Sequence, residues 1–368
     1  MRHDGGADEI RYWLGFSLVP GISGRRIAAL LQRFGSLSQA WSAPEAELRA
    51  AGLDGQPLAN LLKARQQRDL DVALTRVHRA SASLTSLQME SYPPLLRDIS
   101  DAPPLLYVRG EITKADQRAV AIVGTRTATR YGIDVSYKLA RELAHAGVTV
   151  ISGLAQGIDA AAHRGALDGG GRTIAVLGNG IDTVYPNQHR ELAEQISGRG
   201  ALVTEFAIGA KPEAHHFPRR NRVISGMSLG VLIVEAPEKS GALITANAAL
   251  EQGRDVFAVP GSILNPSSSG ANRLIQDGAK LIMNVQDILD ELALIYEPAA
   301  AAPAPPETSL ETEMEQRIYA MLSREPVHVD DLIRSSGLPA GEVLATLTLL
   351  ELKDLARNVG GMQYCTGN

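Results

Sequence analysis

Ala119-Val120-Ala121-Ile122-Val123-Gly124-Thr125-Arg126 is the stretch from which the fold can be read. Five small or branched apolar residues run without alternation into a glycine, and a helical pattern follows near 131–146. A continuous apolar run predicts a strand covered on both faces. The unit recurs. Apolar runs at 148–151, 173–177, 201–203, 230–234 and 255–259 are separated by helical stretches near 158–167, 188–197, 219–225 and 242–252. Strands joined through helices imply right-handed βαβ crossovers and a mostly parallel sheet, hence an α/β fold.

Upstream of this core, residues 8–80 read as short helices punctuated by glycines, at 11–19, 24–34, 44–51 and 58–77. A β-like piece at 83–87 and a proline-punctuated segment that ends as a strand at 105–110 lead into the sheet. A helix near 287–296 closes it. The proline- and alanine-rich stretch that follows cannot bury enough surface to fold and reads as a linker. Three helices at 314–322, 329–335 and 340–353 and a β-ribbon at 355–364 then have winged-helix order. The expected organisation is a small helical domain over 1–82, the sheet domain over 83–296, a linker over 297–312 and a winged-helix-like domain over 313–368.

The 368 residues carry a formal net charge of −5. A mildly acidic chain has no overall electrostatic affinity for a polyanion, so any such site must be a local basic patch. Cys365 is the single cysteine, which excludes an intramolecular disulfide and a cysteine-based zinc cluster and fits a reducing cytoplasm. No apolar stretch is long enough to suggest a membrane span.

In a parallel sheet, ligands bind at the carboxyl ends of the strands, and four segments are candidates there. The first is Gly124-Thr125-Arg126: Gly124 permits a tight turn, the next helix presents free N–H groups, and Arg126 adds a cation. Arg126 occupies the second glycine position of a dinucleotide fingerprint, and no phosphate-cradling G-x-x-x-x-G-K-[ST] motif occurs, so neither a dinucleotide nor ATP is expected. The second loop runs from Ser152 to Asp159, where Gly153 and Gly157 leave backbone open to a ligand. Asp159 and His163 lie one helical turn apart. Two ligands do not make a metal site, and helix-end stabilisation plus a histidine hydrogen bond is the expected reading. The third segment, 211–222, is the most basic of the chain, with Lys211, Arg219, Arg220 and Arg222 against Glu213 alone. Phe217 offers a surface for stacking a base. The fourth contains Lys239, a point charge, and Ser240, an expected helix N-cap. Helix N-termini converging on one sheet edge point to an extended anionic ligand.

These strings, together with Phe217-Pro218-Arg219-Arg220-Asn221-Arg222 and Lys239-Ser240-Gly241-Ala242-Leu243-Ile244-Thr245, resemble the core of the DNA processing protein A (DprA/Smf) family from about Tyr92 to Asp290. The resemblance implies an extended Rossmann-like domain that binds single-stranded DNA without catalysis and takes no cofactor. It implies a homodimer that helps load RecA recombinase onto incoming DNA despite single-strand-binding protein, in natural transformation. It also places Arg126 in the family's glycine-x-arginine DNA-binding motif. The segment Leu18-Val19-Pro20-Gly21-Ile22-Ser23-Gly24 resembles a helix-hairpin-helix turn with Ser23 at the second glycine, a departure that leaves a packing role for this domain as an alternative to DNA contact. In the winged-helix-like unit, Glu342, Glu351 and Asp354 outnumber Lys353, which opposes duplex binding and suits a protein contact.

The enzyme alternative is a nucleotide N-glycoside or phosphoribosyl hydrolase of a related Rossmann-like fold. Such enzymes carry a Pro-Gly-Gly-x-Gly-Thr loop beside a glutamate; here the comparable loop reads Lys239-Ser240-Gly241-Ala242, with Glu235 as the carboxylate to test. No nucleophile elbow or oriented histidine supports a catalytic residue.

Overall fold

The structure is a computed structural model that describes residues 5–295, 310, 312–323, 326–353 and 355–366. The chain divides into two compact units, residues 1–300 and 301–368. Apart from Leu310 and Thr312, the linker expected at 297–312 lies outside the described residues, as does Asp354.

The first unit opens with six helices: α1 (Gly5–Ser17), α2 (Gly24–Phe34), α3 (Leu37–Ser42), α4 (Glu45–Ala50), α5 (Gly55–Gln67) and α6 (Leu70–Arg79). The single helix expected over 58–77 is broken between α5 and α6. Arg68 is extended, and the Asp69 carboxylate accepts from the N–H groups of Asp71 and Val72, so α6 starts afresh. The sheet elements then follow: β1 (Ser83–Ser86), α7 (Pro94–Arg97), β2 (Leu105–Gly110), β3 (Ala119–Val123), α8 (Arg130–His145), β4 (Thr149–Ser152), α9 (Ile158–Asp168), β5 (Thr173–Val176), α10 (Arg190–Arg199), β6 (Ala201–Thr204), α11 (His216–Gly226), β7 (Gly230–Ile233), α12 (Gly241–Glu251), β8 (Asp255–Ala258), α13 (Ser269–Gln276), β9 (Lys280–Leu281) and α14 (Val285–Glu291). The sequence pattern did not indicate α13.

The nine strands are ordered β1-β2-β6-β5-β4-β3-β7-β8-β9. β3 to β9 pair in parallel, and the antiparallel β1–β2 hairpin is added beside β6. The continuous apolar runs are explained by cover on both faces. Val120, Ile122 and Leu232 pack under α8 and α9, whereas Ala121, Val123 and Ile233 pack under α11 and α12. The N-terminal helices share their apolar cluster with Leu105 and Tyr107 of β2 and with α10.

From β3 the chain moves outward through β4, β5 and β6, then returns to place β7 on the other side of β3. Connections after β3 and β7 therefore diverge and leave a crevice between them, the topological switch point of a doubly wound sheet. This is the extended Rossmann-like architecture expected from the sequence.

The second unit contains α15 (Glu313–Met321), β10 (Val327–His328), α16 (Val329–Ser336), α17 (Ala340–Leu352), β11 (Ala356–Gly360) and β12 (Gln363–Thr366). Its strands form a small antiparallel sheet, β10-β12-β11, beside three helices around Ile318, Leu332, Val343 and Leu347, a winged-helix arrangement.

Candidate nucleic-acid interface

A cavity of about 660 Å³ opens at the switch point. The loop after β3 supplies Gly124, Thr125 and Arg126; the loop after β7 and the start of α12 supply Lys239, Ser240 and Gly241; α11 supplies Phe217, Arg220 and Asn221. Three cations, Arg126, Arg220 and Lys239, thus face one opening against the carboxylate of Asp159. Ser240 caps α12 through Ala242 N–H, 3.2 Å away, as expected.

The two arginines play different parts. Arg126 is exposed, and its guanidinium lies 4.9 Å from the centroid of the Phe217 ring. Tyr185 meets the same ring at 5.9 Å. A cation held on an aromatic face loses less freedom when it takes up an anion. Arg220 is buried and forms the floor. It donates to the carbonyls of Gly153, at 2.7 Å, and Val176, and to the side-chain oxygen of Asn221. Burial lowers its pKa to about 10. Asp159 works in the other direction and Arg126 adds to the lowering, so the group stays charged at neutral pH. Gly153 is there for Arg220: a Cβ at that position would lie 2.3 Å from the guanidinium. Gly157 adopts a φ of +77°, and its Cβ would lie 2.4 Å from the Thr125 carbonyl, so the loops after β3 and β4 close on each other only with glycine.

Glu235 is 1% exposed. Its carboxylate accepts from Thr129 N–H at 2.9 Å and from the Thr129 hydroxyl, while its carbonyl accepts from Thr125 N–H at 2.7 Å. The residue ties the loop after β7 to the start of α8 and holds the crevice walls in register. Glu235→Gln is expected to lower stability by about 1–2 kcal/mol in urea unfolding, because one charge-assisted acceptor is replaced by a weaker one.

Beneath the cavity, Asp159 accepts from the N–H groups of Gly153 and Ala155, and burial raises its pKa. His163 Nδ1 is 2.7 Å from the Thr173 hydroxyl, and its Nε2 has no partner. His163 thus makes the expected hydrogen bond, whereas Asp159, although in the first turn of α9, accepts from the loop before the helix rather than from the helix's own N–H groups. Burial lowers the His163 pKa to about 3. The unfolded chain therefore binds the extra proton between about pH 6.5 and 3, and this group withdraws stability as pH falls through that range. Stability at pH 5 relative to pH 7 is expected to drop less in His163→Gln than in the parent, measured by urea midpoints. Asp159 contributes with the opposite sign but is present in both proteins, so the comparison reads the histidine.

The basic run 211–222 is split. The expected helix at 219–225 begins earlier, at His216, so the arginines lie within α11 and point to different sides. Phe217, Arg220 and Asn221 line the cavity. Arg219 and Arg222 face away from it, and both pair with Glu205, at 2.6 and 2.8 Å. Arg222 also pairs with Asp101 at 3.1 Å. Lys211 is exposed on the preceding loop and is not among the residues around the cavity. Tyr185 is an element of the site that the sequence reading missed. It lies on the segment after β5, and the rule that ligands gather at strand carboxyl ends, applied to that strand as well, would have found it.

A model of the DNA recombination-mediator protein A family matches residues 83–293, and one of the DprA winged helix domain matches residues 298–362. Protein Smf of Synechocystis is 35% identical over 97% of this chain and 98% of its own. Protein Smf of Escherichia coli is 40% identical over 78% of each chain. Among solved structures, DNA processing protein A of Streptococcus pneumoniae superposes with a TM-score of 0.69 at 36% identity, covering 76% of this chain and 97% of that one. A Helicobacter pylori DNA processing protein A, described for its single-stranded DNA binding mode, gives 0.53 at 31% identity, covering 59% and 97%.

Proposed function

Since the chain belongs to the DNA recombination-mediator protein A family, we propose that it is a non-catalytic protein that binds single-stranded DNA in the switch-point cavity. The observation that carries this reading is the convergence of Arg126, Arg220 and Lys239 on a crevice whose rim offers the exposed Tyr185 ring, with the Phe217 face already taken by Arg126. Cations contact phosphates irrespective of sequence, and any base can stack on an aromatic face. On this reading Gly124, Thr125 and Ser240 bring backbone and hydroxyl groups up to the strand, with Arg219, Arg222 and Lys211 outside the first contact; Gly153, expected to leave its backbone open, instead spends its N–H on Asp159 and its carbonyl on Arg220.

The bound strand is then passed to RecA recombinase in the cytoplasm during transformation or recombination, against competing single-strand-binding protein, by a homodimer. The winged-helix module, residues 313–368, serves as a protein contact. No described helix is long and apolar enough to cross a membrane. The hydrolase alternative needs an accessible carboxylate, and Glu235 is buried and committed to Thr129.

The test is anisotropy of a labelled oligothymidylate against salt. Affinity should fall with a log–log slope of about −0.7 for each phosphate contacted. The same preparation should accelerate RecA filament formation on DNA coated with single-strand-binding protein. A salt-independent affinity, or free base released from nucleoside monophosphates, would contradict the reading.

A further inference from the structure

The second face of α11 borders another opening. A groove of about 810 Å³ lies between the start of α2, the segment 99–105 and α11. Four arginines line it: Arg25 on α2, Arg97 on α7, and Arg219 and Arg222 on α11. Two acids, Asp101 and Glu205, lie among them. Glu205 is shared between Arg219 and Arg222 with only 4% of its side chain exposed, so its charge is already met. Arg25 is exposed, and no ion pair engages it among the described residues. Arg219 keeps 58% of its side chain in solvent despite its ion pair. Three exposed cations from separate parts of the chain, Arg25, Arg97 and Arg219, thus face one groove.

The groove and the switch-point cavity share α11 as their partition. Phe217 and Arg220 face one side, and Arg219 and Arg222 the other. A helix is about 10–12 Å across, a distance that about three nucleotides cover at the rise of a stacked strand. We propose that the groove is a second phosphate-binding surface, and that a polynucleotide held in the cavity crosses α11 at Arg219 and continues along Arg25, making the N-terminal helices part of the site. The inference rests on the reading of the cavity as a single-strand site. The shared partition favours a continuing nucleic-acid strand over an acidic peptide, which would have no reason to adjoin the cavity.

The experiment measures binding of labelled 6-mer and 20-mer oligothymidylates by anisotropy to the full chain and to Arg25→Glu, Arg25→Lys and Arg126→Ala. Arg25→Glu should weaken the 20-mer about fivefold or more and make its salt slope shallower by about 0.7, leave the 6-mer unchanged, and be rescued in Arg25→Lys. Equal 20-mer affinity in Arg25→Glu overturns the proposal. So does equal weakening of both lengths, and so does loss of binding to a polyglutamate peptide with the 20-mer unaffected. Arg126→Ala separates the two readings. It should weaken both lengths; if it weakens neither while Arg25→Glu weakens the 20-mer, the cavity reading fails and the groove stands without it.

Discussion

Arg126→Ala is expected to weaken binding of a 20-mer oligothymidylate about tenfold to a hundredfold while the thermal melt stays where it is. A charge-assisted hydrogen bond to an ionised partner is worth about 1.5–3 kcal/mol, and about 1.4 kcal/mol is a factor of ten in affinity. Arg126 is exposed and stacked on Phe217, so its removal leaves the core intact and takes away the cation at the cavity mouth. The salt slope should become shallower by about 0.7 if one phosphate contact is lost. Arg126→Lys should recover only part of the affinity, because a lysine keeps the charge but cannot lie flat on the ring. An unchanged anisotropy titration would remove Arg126 from the interface.

The second large effect concerns stability. Arg220→Leu is expected to destabilise the first unit by about 3–5 kcal/mol, read as a shift in the urea midpoint. The buried guanidinium satisfies the carbonyls of Gly153 and Val176, and its charge offsets that of the fully enclosed Asp159. Leucine would leave both carbonyls unpaired and an uncompensated carboxyl beneath the cavity, and each loss is costly in a dry interior. Oligonucleotide affinity should fall as well, since Arg220 also holds Asn221 and the loop after β4 in place. A midpoint unchanged within error would show that the fold does not depend on the guanidinium's bonds to the Gly153 and Val176 carbonyls.

The contrast between the two arginines shows how far the sequence could be read. Both stand in stretches whose basic character is plain, and both border the cavity. Nothing in the spacing separates the one on the surface from the one in the floor. That difference depends on Gly153, sixty-seven positions away from Arg220 along the chain, whose missing side chain makes room for the guanidinium. The split of Arg219 and Arg222 from Arg220 has a simpler cause. The helix begins at His216, and at 3.6 residues per turn neighbours in a basic run point to different sides. Reading that start correctly would have required knowing that residues 213–216 form the turn that leads into it. Breaks such as the one at Asp69 escaped because a side-chain cap inside an amphipathic run leaves the apolar periodicity almost undisturbed.

The strands from β1 to β8, the parallel sheet, the loops at its carboxyl edge and the winged-helix order of the last unit were determined by the sequence itself, because covered strands and amphipathic helices need local apolar patterns that survive in one dimension; the two-residue strands β9 and β10 are too short to carry such a pattern. Which cations share an opening, which are spent on Glu205 and Asp101, and which border a second groove were decided by tertiary structure alone. Charge pairing across a fold acts over a few ångströms between residues far apart in the chain, and no local pattern encodes that distance.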